Sequence, residues 1–266
     1  MLDADRIKTN LTTGIVGENF IFLEETESTN KYALKLAKEG APEGTVVCAG
    51  FQTGGKGRFD RHWFANPGEN MLLSIIVRPE MLIDTVQKIT LASAVILIEA
   101  IQSFLKSRKI SIPDISVKWP NDLLVQGKKL AGILAESILR DKKVETLVIG
   151  FGLNINTTFA KMPVEIRDIA TSIAENSKKT IQIEDFVSHF LNLFEKRYLE
   201  LERTNYNNVV SEWKRHCDQF GQKIKIKTPD GTTECTFHDI NENGLLIYRL
   251  HNDELKTLHS GEILKV

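Results

Sequence analysis

The sequence has few cysteines, and they form no pattern that binds a metal or builds a disulfide framework. Its 266 residues include three cysteines, Cys48, Cys217 and Cys235, which lie far apart. Metal sites and disulfide-rich secreted domains need paired or closely spaced cysteines, so this usage indicates reduced thiols in a cytoplasmic protein. We interpret each as a small buried hydrophobic residue rather than a nucleophile.

The sequence also lacks an excess of charge of one sign. It has 34 Lys and Arg residues against 35 Asp and Glu residues, a formal net charge of -1. Domains that bind nucleic acid are commonly basic, so the overall charge predicts no nucleic-acid partner. An anion site would have to come from a local cluster of cations.

Neither a secretory signal nor a membrane-spanning segment is predicted. Residues 1–20 carry several charges and no apolar core of a signal peptide. The longest apolar stretch, residues 91–101, is interrupted by Ser93 and Glu99 and is expected to be too short to span a bilayer. The sequence therefore predicts no membrane association.

The pattern of apolar residues predicts two domains. Runs bounded by turn residues indicate strands over residues 20–23, 45–51, 71–77, 115–119, 123–125, 130–135 and 146–156. Helical spacing indicates helices over residues 28–38, 84–107, 186–201 and 209–216. After Phe220 short strands alternate with turns at 229–231, 241–244 and 251–253, which is typical of a compact β-barrel. We expect a catalytic domain over residues 1–220 and a small barrel over residues 221–266, which leans on the larger domain because so short a chain buries little core.

The most informative motif is a basic, glycine-containing loop between two predicted strands. Residues 52–63 read Gln-Thr-Gly-Gly-Lys-Gly-Arg-Phe-Asp-Arg-His-Trp. Glycines let backbone N–H groups approach a ligand closely, and the cations supply charge where an anion would lie. The loop is not a P-loop, because a Gly-Lys-Ser/Thr ending and a directly following helix are both missing. It indicates a small anionic ligand, although a solvated basic turn has the same composition.

A second segment, residues 117–123, places polar side chains at the mouth of a strand. Pro120 forces a turn after the apolar strand, so Asn121 and Asp122 follow at its end. Asp122 would supply a carboxylate beside a cationic site, where it could hold a metal ion or an attacking amine. The same residues also fit an ordinary turn.

Two further segments combine small residues with a cation. Lys129 directly precedes an apolar strand, so it is a better candidate for an inward-facing charge than Lys128, and Gly132 lets a ligand lie against the backbone. Gly150 and Gly152 remove side chains from one face of another strand. A flat ring or an acyl chain could occupy that gap, or the glycines could allow close packing.

Taken in order, these segments resemble biotin–protein ligases. The sequence contains Glu27-Ser28-Thr29-Asn30, then Gln-Thr-Gly-Gly-Lys-Gly-Arg, Lys-Trp-Pro-Asn-Asp, Lys-Leu-Ala-Gly-Ile-Leu and Gly-Phe-Gly-Leu-Asn-Ile-Asn. Each motif alone has little specificity, but five in the right order are highly specific. The resemblance covers about residues 20–156. It implies an α+β fold, with a mixed β-sheet catalytic domain packed with helices and a small C-terminal SH3-like β-barrel.

The resemblance implies an ATP-dependent, AMP-forming ligase. Such an enzyme joins biotin to ATP, giving biotinoyl-5′-AMP and pyrophosphate, and then transfers biotin to a lysine of a biotin carboxyl carrier protein domain. ATP with Mg²⁺ would be the co-substrate, with few protein ligands to the metal and no tightly bound prosthetic group. A lipoate-type protein ligase is the alternative with the same fold, and a non-catalytic biotin or adenylate sensor is the alternative from another class.

The resemblance also bears on partners. Some relatives carry an N-terminal DNA-binding module, but only about twenty residues precede the first strand here, against the roughly 60 that such a module needs. We therefore expect no operator binding. Relatives can pair edge to edge through their central sheet, so the resemblance is compatible with a homodimer.

The resemblance further assigns roles to individual residues. Lys129, Arg58 and Asp122 would act in catalysis, with Asp122 orienting the carrier lysine and accepting its proton. The biotin site would comprise Ser28, Thr29, Asn30, Gln52, Gly55, Lys56, Arg58, Lys129, Gly132, Gly150 and Gly152. The nucleotide site would comprise Arg58, Arg61, Trp63, Asn121, Lys129 and Asn154.

The basic loop departs from the usual family pattern at three positions. Lys56 stands in the first arginine position, Phe59 at a position that is often basic, and Asp60 where glycine is common. Lysine keeps the positive charge but lacks the planar fork of arginine. We therefore expect ordinary activity with a different energy of loop ordering.

Overall fold

A seven-stranded mixed sheet forms the centre of the computed structural model, which describes residues 2–141, 143–228 and 231–264. The strands lie in the order β1-β2-β3-β7-β6-β5-β4. β1 and β2 are parallel, and the other neighbouring pairs are antiparallel. The strands are β1 Phe20–Thr26, β2 Val46–Gln52, β3 Asn70–Val77, β4 Ile115–Lys118, β5 Asp122–Val125, β6 Lys128–Arg140 and β7 Lys143–Asn154.

Helices cover the two faces of this sheet unequally. The long helices α3 (Gln87–Ser107) and α6 (Ile183–Arg203) pack on one face and form the main core with it. The helix α2 (Thr29–Lys38) is the crossover that a parallel β1–β2 pair requires, and it lies on the other face. The remaining helices are α1 Ala4–Thr9, α4 Val164–Arg167, α5 Ile173–Ser177 and α7 Val209–Lys214, and 3₁₀ turns span Arg58–Asp60, Ile83–Thr85 and Phe159–Lys161.

The alternation of strand residues explains this arrangement. In β3, Leu73 and Ile75 are buried in the main core, whereas Ile76 belongs to a small apolar cluster under α2. That cluster covers only part of its face. The rest of this face is open to a cavity, so the sheet itself supplies the floor of a candidate site.

The helical segment Ile83–Ser107 is long and apolar enough, by length and composition alone, to cross a membrane. The sequence-based judgement that its apolar stretch is too short was therefore wrong. In the fold, 78% of the apolar window is buried inside the protein. Its aromatic residue Phe104 packs edge-on against Phe186 of α6, with ring centroids 5.1 Å apart. This is the packing of a core helix.

The C-terminal region forms a five-stranded antiparallel sheet in the order β11-β10-β9-β8-β12. This confirms the expected SH3-like β-domain, although the expected turn at Pro229 and Asp230 lies outside the described residues. Its strands are β8 Lys223–Thr228, β9 Gly231–Ile240, β10 Leu246–Arg249, β11 Leu255–Leu258 and β12 Glu262–Leu264.

The two sheets are joined by specific contacts. The indole Nε1 of Trp119 donates to the carbonyl oxygen of Gly244 at 2.9 Å. Gly244 has a φ of +81°, which favours glycine, and a β-carbon there would also lie 2.7 Å from Cδ1 of Leu91 in α3. Buried residues of the second sheet, including Phe237, belong to the same apolar cluster as α3 and α6. We propose that the boundary between the catalytic domain and the C-terminal barrel lies between residues 220 and 221.

A candidate active site on the open face of the mixed sheet

A cavity of about 690 Å³ lies on the open face of the mixed sheet, next to the C-terminal sheet. Its wall contains every residue that the sequence predicted for the site except Gly55. A side chain at Gly55 would lie 3.0 Å from Nε2 of Gln52 and 3.2 Å from the carbonyl oxygen of Trp63. Direct contact between Gly55 and a ligand stays a prediction. This glycine lets the basic loop fold back on β2.

The floor of the cavity is a row of residues paired across four strands. Gly152 of β7 pairs with Gly132 of β6, which pairs with Asp122 of β5, which pairs with Lys118 of β4. Residues that pair directly across strands share one face of the sheet. The row therefore runs from an uncharged glycine surface to two charged side chains at the sheet edge.

A β-bulge explains why Lys129 faces this cavity. The register between β5 and β6 shifts by one residue near Leu123, and both Leu130 and Ala131 are buried in the main core. Lys129 and Gly132, on either side of these two residues, consequently face the same way. The side-chain atom Nζ of Lys129 lies 3.2 Å from the position of a β-carbon at Gly132. Bulges commonly re-aim side chains next to active sites.

One end of the cavity is a network of buried and partly buried neutral side chains. The backbone N–H and hydroxyl of Thr29 donate to Oε1 of Gln52 at 2.7 and 3.0 Å. The hydroxyl of Ser74 lies 2.8 Å from Oγ1 of Thr29 and 2.6 Å from Oδ1 of Asn30. Ser28 directly precedes α2 at its N-cap position, but its side chain makes no capping hydrogen bond. These groups give the cavity fixed donors and acceptors in a dry setting.

Ser74 was not predicted as a site residue, although the sequence contains a signal for it. It is a fully buried polar residue within the otherwise apolar interior of β3. A buried hydroxyl needs a hydrogen-bond partner, so a serine in such a run indicates a polar neighbour on the same face. Here it orients both Thr29 and Asn30.

Gly150 is required by the position of Asn30. The amide nitrogen of Asn30 donates to the carbonyl oxygen of Leu134 at 3.1 Å and to Oε2 of Glu136 at 2.7 Å. A β-carbon at Gly150 would lie only 2.0 Å from Oδ1 of Asn30. The glycine thus creates the space in which the Asn30 amide crosses β7 to reach β6.

The indole ring of Trp63 occupies the gap above Gly132 and Gly152. A β-carbon at Gly152 would lie 2.7 Å from Cε2 of this indole, and one at Gly132 would lie 3.1 Å from Cζ3. The indole Nε1 is buried and has no hydrogen-bond partner among the described residues. Lys129 Nζ lies 5.4 Å from the ring centre. Trp63 is thus a ring platform with an unsatisfied donor in the middle of the cavity.

The basic loop that carries Trp63 is a tight hairpin. The backbone N–H of Trp63 donates to the carbonyl oxygen of Gly55 at 2.8 Å, and that of Gly57 donates to Arg61 at 2.7 Å. Phe59 adopts a positive φ of 56°, a conformation that costs roughly 1–2 kcal/mol for residues other than glycine. This conformational cost therefore falls on one of the three loop positions at which the sequence departs from the family pattern.

Arg58 extends from this hairpin into the cavity between aromatic side chains. Its Cζ lies 5.2 Å from the ring centre of Phe59 and 5.9 Å from that of Trp119. Burial lowers the pKa of Arg58, while the carboxylates of Asp122 and Glu262 oppose that shift. A guanidinium remains charged under such conditions, so it presents a partly desolvated cation.

Lys129 and Asp122 form an ion pair inside the cavity. Nζ of Lys129 lies 2.7 Å from Oδ1 of Asp122. The backbone of Lys129 is also fixed, since its N–H donates to Ile169 at 2.7 Å and its carbonyl oxygen accepts from Thr171 at 2.9 Å. Lys129 and Arg58, from two separate hairpins, line the same cavity, which is the arrangement that the sequence predicted.

The C-terminal sheet contributes a carboxylate to the site. Glu262 of β12 lines the cavity and forms an ion pair with the guanidinium of Arg61. The two residues are 201 positions apart, so no local motif could have revealed this contact. The basic loop is therefore tied to the C-terminal sheet as well as to β2.

Two asparagines predicted to bind nucleotide already make structural hydrogen bonds. Nδ2 of Asn121 donates to the carbonyl oxygen of Ile133 at 2.6 Å. Nδ2 of Asn154 donates to the carbonyl oxygen of Thr171 at 3.0 Å, while its buried Oδ1 has no partner among the described residues. Asn154 thus offers an acceptor rather than a donor to a ligand.

Within residues 2–141, 143–228 and 231–264, no group of three or more His, Cys, Asp or Glu side chains is placed to hold a metal ion. The cavity wall does hold the cations Lys56, Arg58, Arg61, Lys118, Lys129 and Lys223 against the carboxylates Asp122, Asp218 and Glu262. This excess of positive charge fits a polyanionic ligand.

Comparisons with known proteins agree with this geometry. The model of the biotin/lipoate A/B protein ligase family matches residues 22–154, and that of the biotin protein ligase C terminal domain matches residues 220–266. The chain belongs to the biotin/lipoate A/B protein ligase family. Its second match places it with the members that carry the biotin protein ligase C-terminal domain.

Individual relatives extend along most of the chain. The bifunctional ligase/repressor BirA of Bacillus subtilis is 31% identical over 262 residues, covering 98% of this chain and 78% of that protein. The biotin–[acetyl-CoA-carboxylase] ligase of Mycobacterium tuberculosis is 27% identical over 261 residues, covering 92% of each. A biotin protein ligase from Aquifex aeolicus in complex with biotin and ATP has a TM-score of 0.75 and 25% identity, covering 93% of this chain and 98% of that one. The family and fold expected from the sequence are confirmed.

Proposed function

We infer that this chain is a biotin–protein ligase. It activates biotin with ATP to give biotinoyl-5′-AMP and pyrophosphate, and it transfers the biotin to a lysine of a biotin carboxyl carrier protein domain. The observation that carries this conclusion is the single cavity in which Arg58 and Lys129 converge beside the neutral network of Thr29, Asn30 and Gln52. The matched C-terminal domain and the relatives named as biotin ligases favour biotin over lipoate.

The neutral end of the cavity is the proposed site of the biotin head group. A ureido ring needs donors and acceptors in a dry pocket. The buried Thr29 and Asn30 lie there, with the partly buried Gln52 hydrogen-bonded to Thr29. The acyl chain would extend along the open face toward Lys129. Its carboxylate would then meet the charged half of the cavity.

Adenylation brings two anions together. A carboxylate oxygen of biotin attacks the α-phosphorus of ATP, the bond from that phosphorus to the bridging oxygen breaks, and pyrophosphate leaves. Arg58 and Lys129 would offset the repulsion between the reactants and the charge that builds on the phosphoryl oxygens. No protein nucleophile is needed. Magnesium would enter on the phosphates of ATP, with few protein ligands.

Transfer to the carrier needs a proton acceptor for the attacking lysine. The amine attacks the acyl carbon of biotinoyl-5′-AMP, and AMP leaves with the bonding electron pair. We assign Asp122 to orient this amine and accept its proton. Lys129 contacts Oδ1 of Asp122, so Oδ2 is the oxygen that we assign to the incoming lysine.

The nucleotide would lie on the Trp63 side of the cavity. The indole plane offers a stacking surface, and the unpartnered Oδ1 of Asn154 offers an acceptor for the exocyclic amine of adenine. Arg61 would contact the nucleotide from the loop. We propose further that the protein works in the cytoplasm, in line with its three free cysteines. A homodimer and the lack of operator binding stay predictions.

Incubation with ATP, magnesium, biotin and a purified carrier domain tests this function. We expect the carrier to gain the mass of one biotinoyl group, with release of AMP and pyrophosphate. Pyrophosphate exchange that depends on lipoate but not on biotin would instead identify a lipoate ligase. Biotin binding without any labelling of the carrier would identify a sensor.

A further inference from the structure

The cations of the cavity fall into two groups when their partners are compared. Lys129 is paired with Asp122, and Arg61 is paired with Glu262. Lys118 also lines the cavity, but no carboxylate among the described residues lies within 4.0 Å of its amine. Burial lowers the pKa of this lysine, while Asp122 and Glu262 favour its charged form. A partly buried cation without an ion-pair partner is costly unless it meets an anionic ligand.

The position of Lys118 relates it to the reacting centre. It ends β4 and pairs with Asp122, two strands away from Gly132 along the row that forms the cavity floor. Strands in a sheet are about 4.8 Å apart, so this separation is roughly 10 Å. Its charged neighbours on the other elements of the cavity are Glu262, Arg61 and Lys129. Lys118 thus lies beyond Lys129, on the side away from the neutral network.

The triphosphate has to extend past the reacting centre. If the α-phosphate meets the biotin carboxylate beside Arg58 and Lys129, then the β- and γ-phosphates continue along the open face. As the bond to the α-phosphorus breaks, its electron pair leaves with the bridging oxygen, and negative charge grows on pyrophosphate. A fixed cation next to that oxygen lowers the barrier without any proton transfer.

We propose that Lys118 is a catalytic residue that binds the β- and γ-phosphates of ATP and stabilises pyrophosphate as it leaves. The proposal rests on the function inferred above and assigns a residue that the sequence-based site did not contain. It separates the charged half of the cavity into an α-phosphate position, served by Arg58 and Lys129, and a leaving-group position, served by Lys118.

The role makes the two half-reactions respond differently to a change at Lys118. Adenylation and its reversal by pyrophosphate both involve the leaving group. Transfer from preformed biotinoyl-5′-AMP to a carrier lysine does not involve pyrophosphate at all. A merely structural lysine would instead affect both half-reactions together, because they share the cavity.

The test uses Lys118→Met, Lys118→Arg and, as a matched control, Lys128→Met. Lys128 is exposed at the start of β6 and does not line the cavity. We expect Lys118→Met to slow adenylation, and pyrophosphate-driven reversal of biotinoyl-5′-AMP, by roughly 10²-fold. Transfer from synthetic biotinoyl-5′-AMP should stay within about twofold of wild type. Lys118→Arg should recover much of the lost rate, and Lys128→Met should match wild type.

Two results would overturn the role of Lys118. One is near-normal adenylation by Lys118→Met, and the other is an equal loss in adenylation and transfer. Thermal unfolding of each variant identifies any loss of activity that comes from misfolding. If Lys118→Met is misfolded, the ratio of adenylation rate to transfer rate in Lys118→Arg decides instead. Failure of the wild-type protein to adenylate biotin would contradict the proposed function itself, so the two failures are distinguishable.

Discussion

The two ends of the cavity are built in different ways. The neutral end depends on short hydrogen bonds among buried and partly buried groups, such as Ser74 to Asn30 at 2.6 Å and Thr29 to Gln52 at 2.7 Å. The charged end depends on ion pairs between separate elements, such as Arg61 with Glu262. A buried polar network is rigid and specifies one geometry, whereas half-exposed ion pairs are weak and exchangeable.

This difference suits the two halves of the reaction. A neutral, uncharged head group is recognised best by fixed donors and acceptors that keep their places without ligand. The phosphates, in contrast, change charge and position between ATP, the adenylate and pyrophosphate. Cations that are partly neutralised by Asp122 and Glu262 before nucleotide enters can exchange partners during turnover. The comparison predicts that mutations at the charged end affect rate, while mutations at the neutral end affect biotin affinity.

The largest effect is expected from removing a cation at the α-phosphate. Arg58→Ala and Lys129→Ala should each slow adenylation by roughly 10²-fold or more, because each deletes a charge contact to the transition state. Initial rates of biotin-dependent pyrophosphate exchange measure this loss. Lys143→Ala, on an exposed position of β7, is the matched control. A near-normal rate in either active-site variant would remove that residue from the mechanism.

A smaller effect, of another kind, is expected at the neutral end. Gly150→Ala places a β-carbon 2.0 Å from Oδ1 of Asn30, so the Asn30 side chain must leave its hydrogen bonds. We expect biotin affinity to fall about tenfold, equivalent to one net hydrogen bond, with little change in the KM for ATP. Titration calorimetry with biotin measures the affinity. Gly14→Ala is the comparison variant, because Gly14 does not line the cavity and a β-carbon there would lie 4.0 Å from the nearest atom, Oε1 of Glu195. Equal weakening of biotin and ATP would contradict the separation of the two ends.

The architecture and most of the site were predictable because they depend on local signals. Apolar runs bounded by turn residues identified the strands of the mixed sheet, and the motif order identified Arg58, Asp122 and Lys129 as neighbours in space. The α1 helix was missed, since it spans only six residues and buries only Ile7. The strand β6 extends beyond both of its predicted ends, and β7 begins before its predicted start, because these outer portions carry exposed residues such as Arg140 and Lys143.

Contacts that depend on irregular backbone or distant residues were not predictable. Strict alternation would put Lys129 and Gly132 on opposite faces of β6, and only the bulge brings them together. Nothing in the sequence near Glu262 connects it to Arg61. The sequence predicted a gap above Gly152. The ring that fills this gap belongs to Trp63, which lies in the basic loop between β2 and β3, far from Gly152 in the sequence.

The ion pair between Arg61 and Glu262 should contribute modestly. The side chain of Arg61 is 56% exposed, so we expect a coupling of at most about 1 kcal/mol. Glu262→Gln should speed dissociation of biotinoyl-5′-AMP about two- to fivefold, because the loop loses its tie to the C-terminal sheet. Stopped-flow measurement of adenylate release gives this rate. Glu254→Gln breaks another ion pair of the same sheet, with Lys256, and should leave the rate unchanged; an equal effect of both variants would contradict a specific tie.

The smallest effect is expected at Lys56, the loop position that departs from the family's arginine. The residue forms an isolated β-bridge with His62 at the base of the hairpin. Arginine would add a planar fork that can hold two oxygens at once, so the loop should close more firmly over the adenylate. We expect Lys56→Arg to slow release of biotinoyl-5′-AMP about twofold, with the rate of adenylation unchanged. Unaltered retention of the adenylate would show that loop ordering does not depend on the geometry of this cation. Phe59, with its positive φ, would then be the remaining departure from the family's loop pattern that has an energetic consequence.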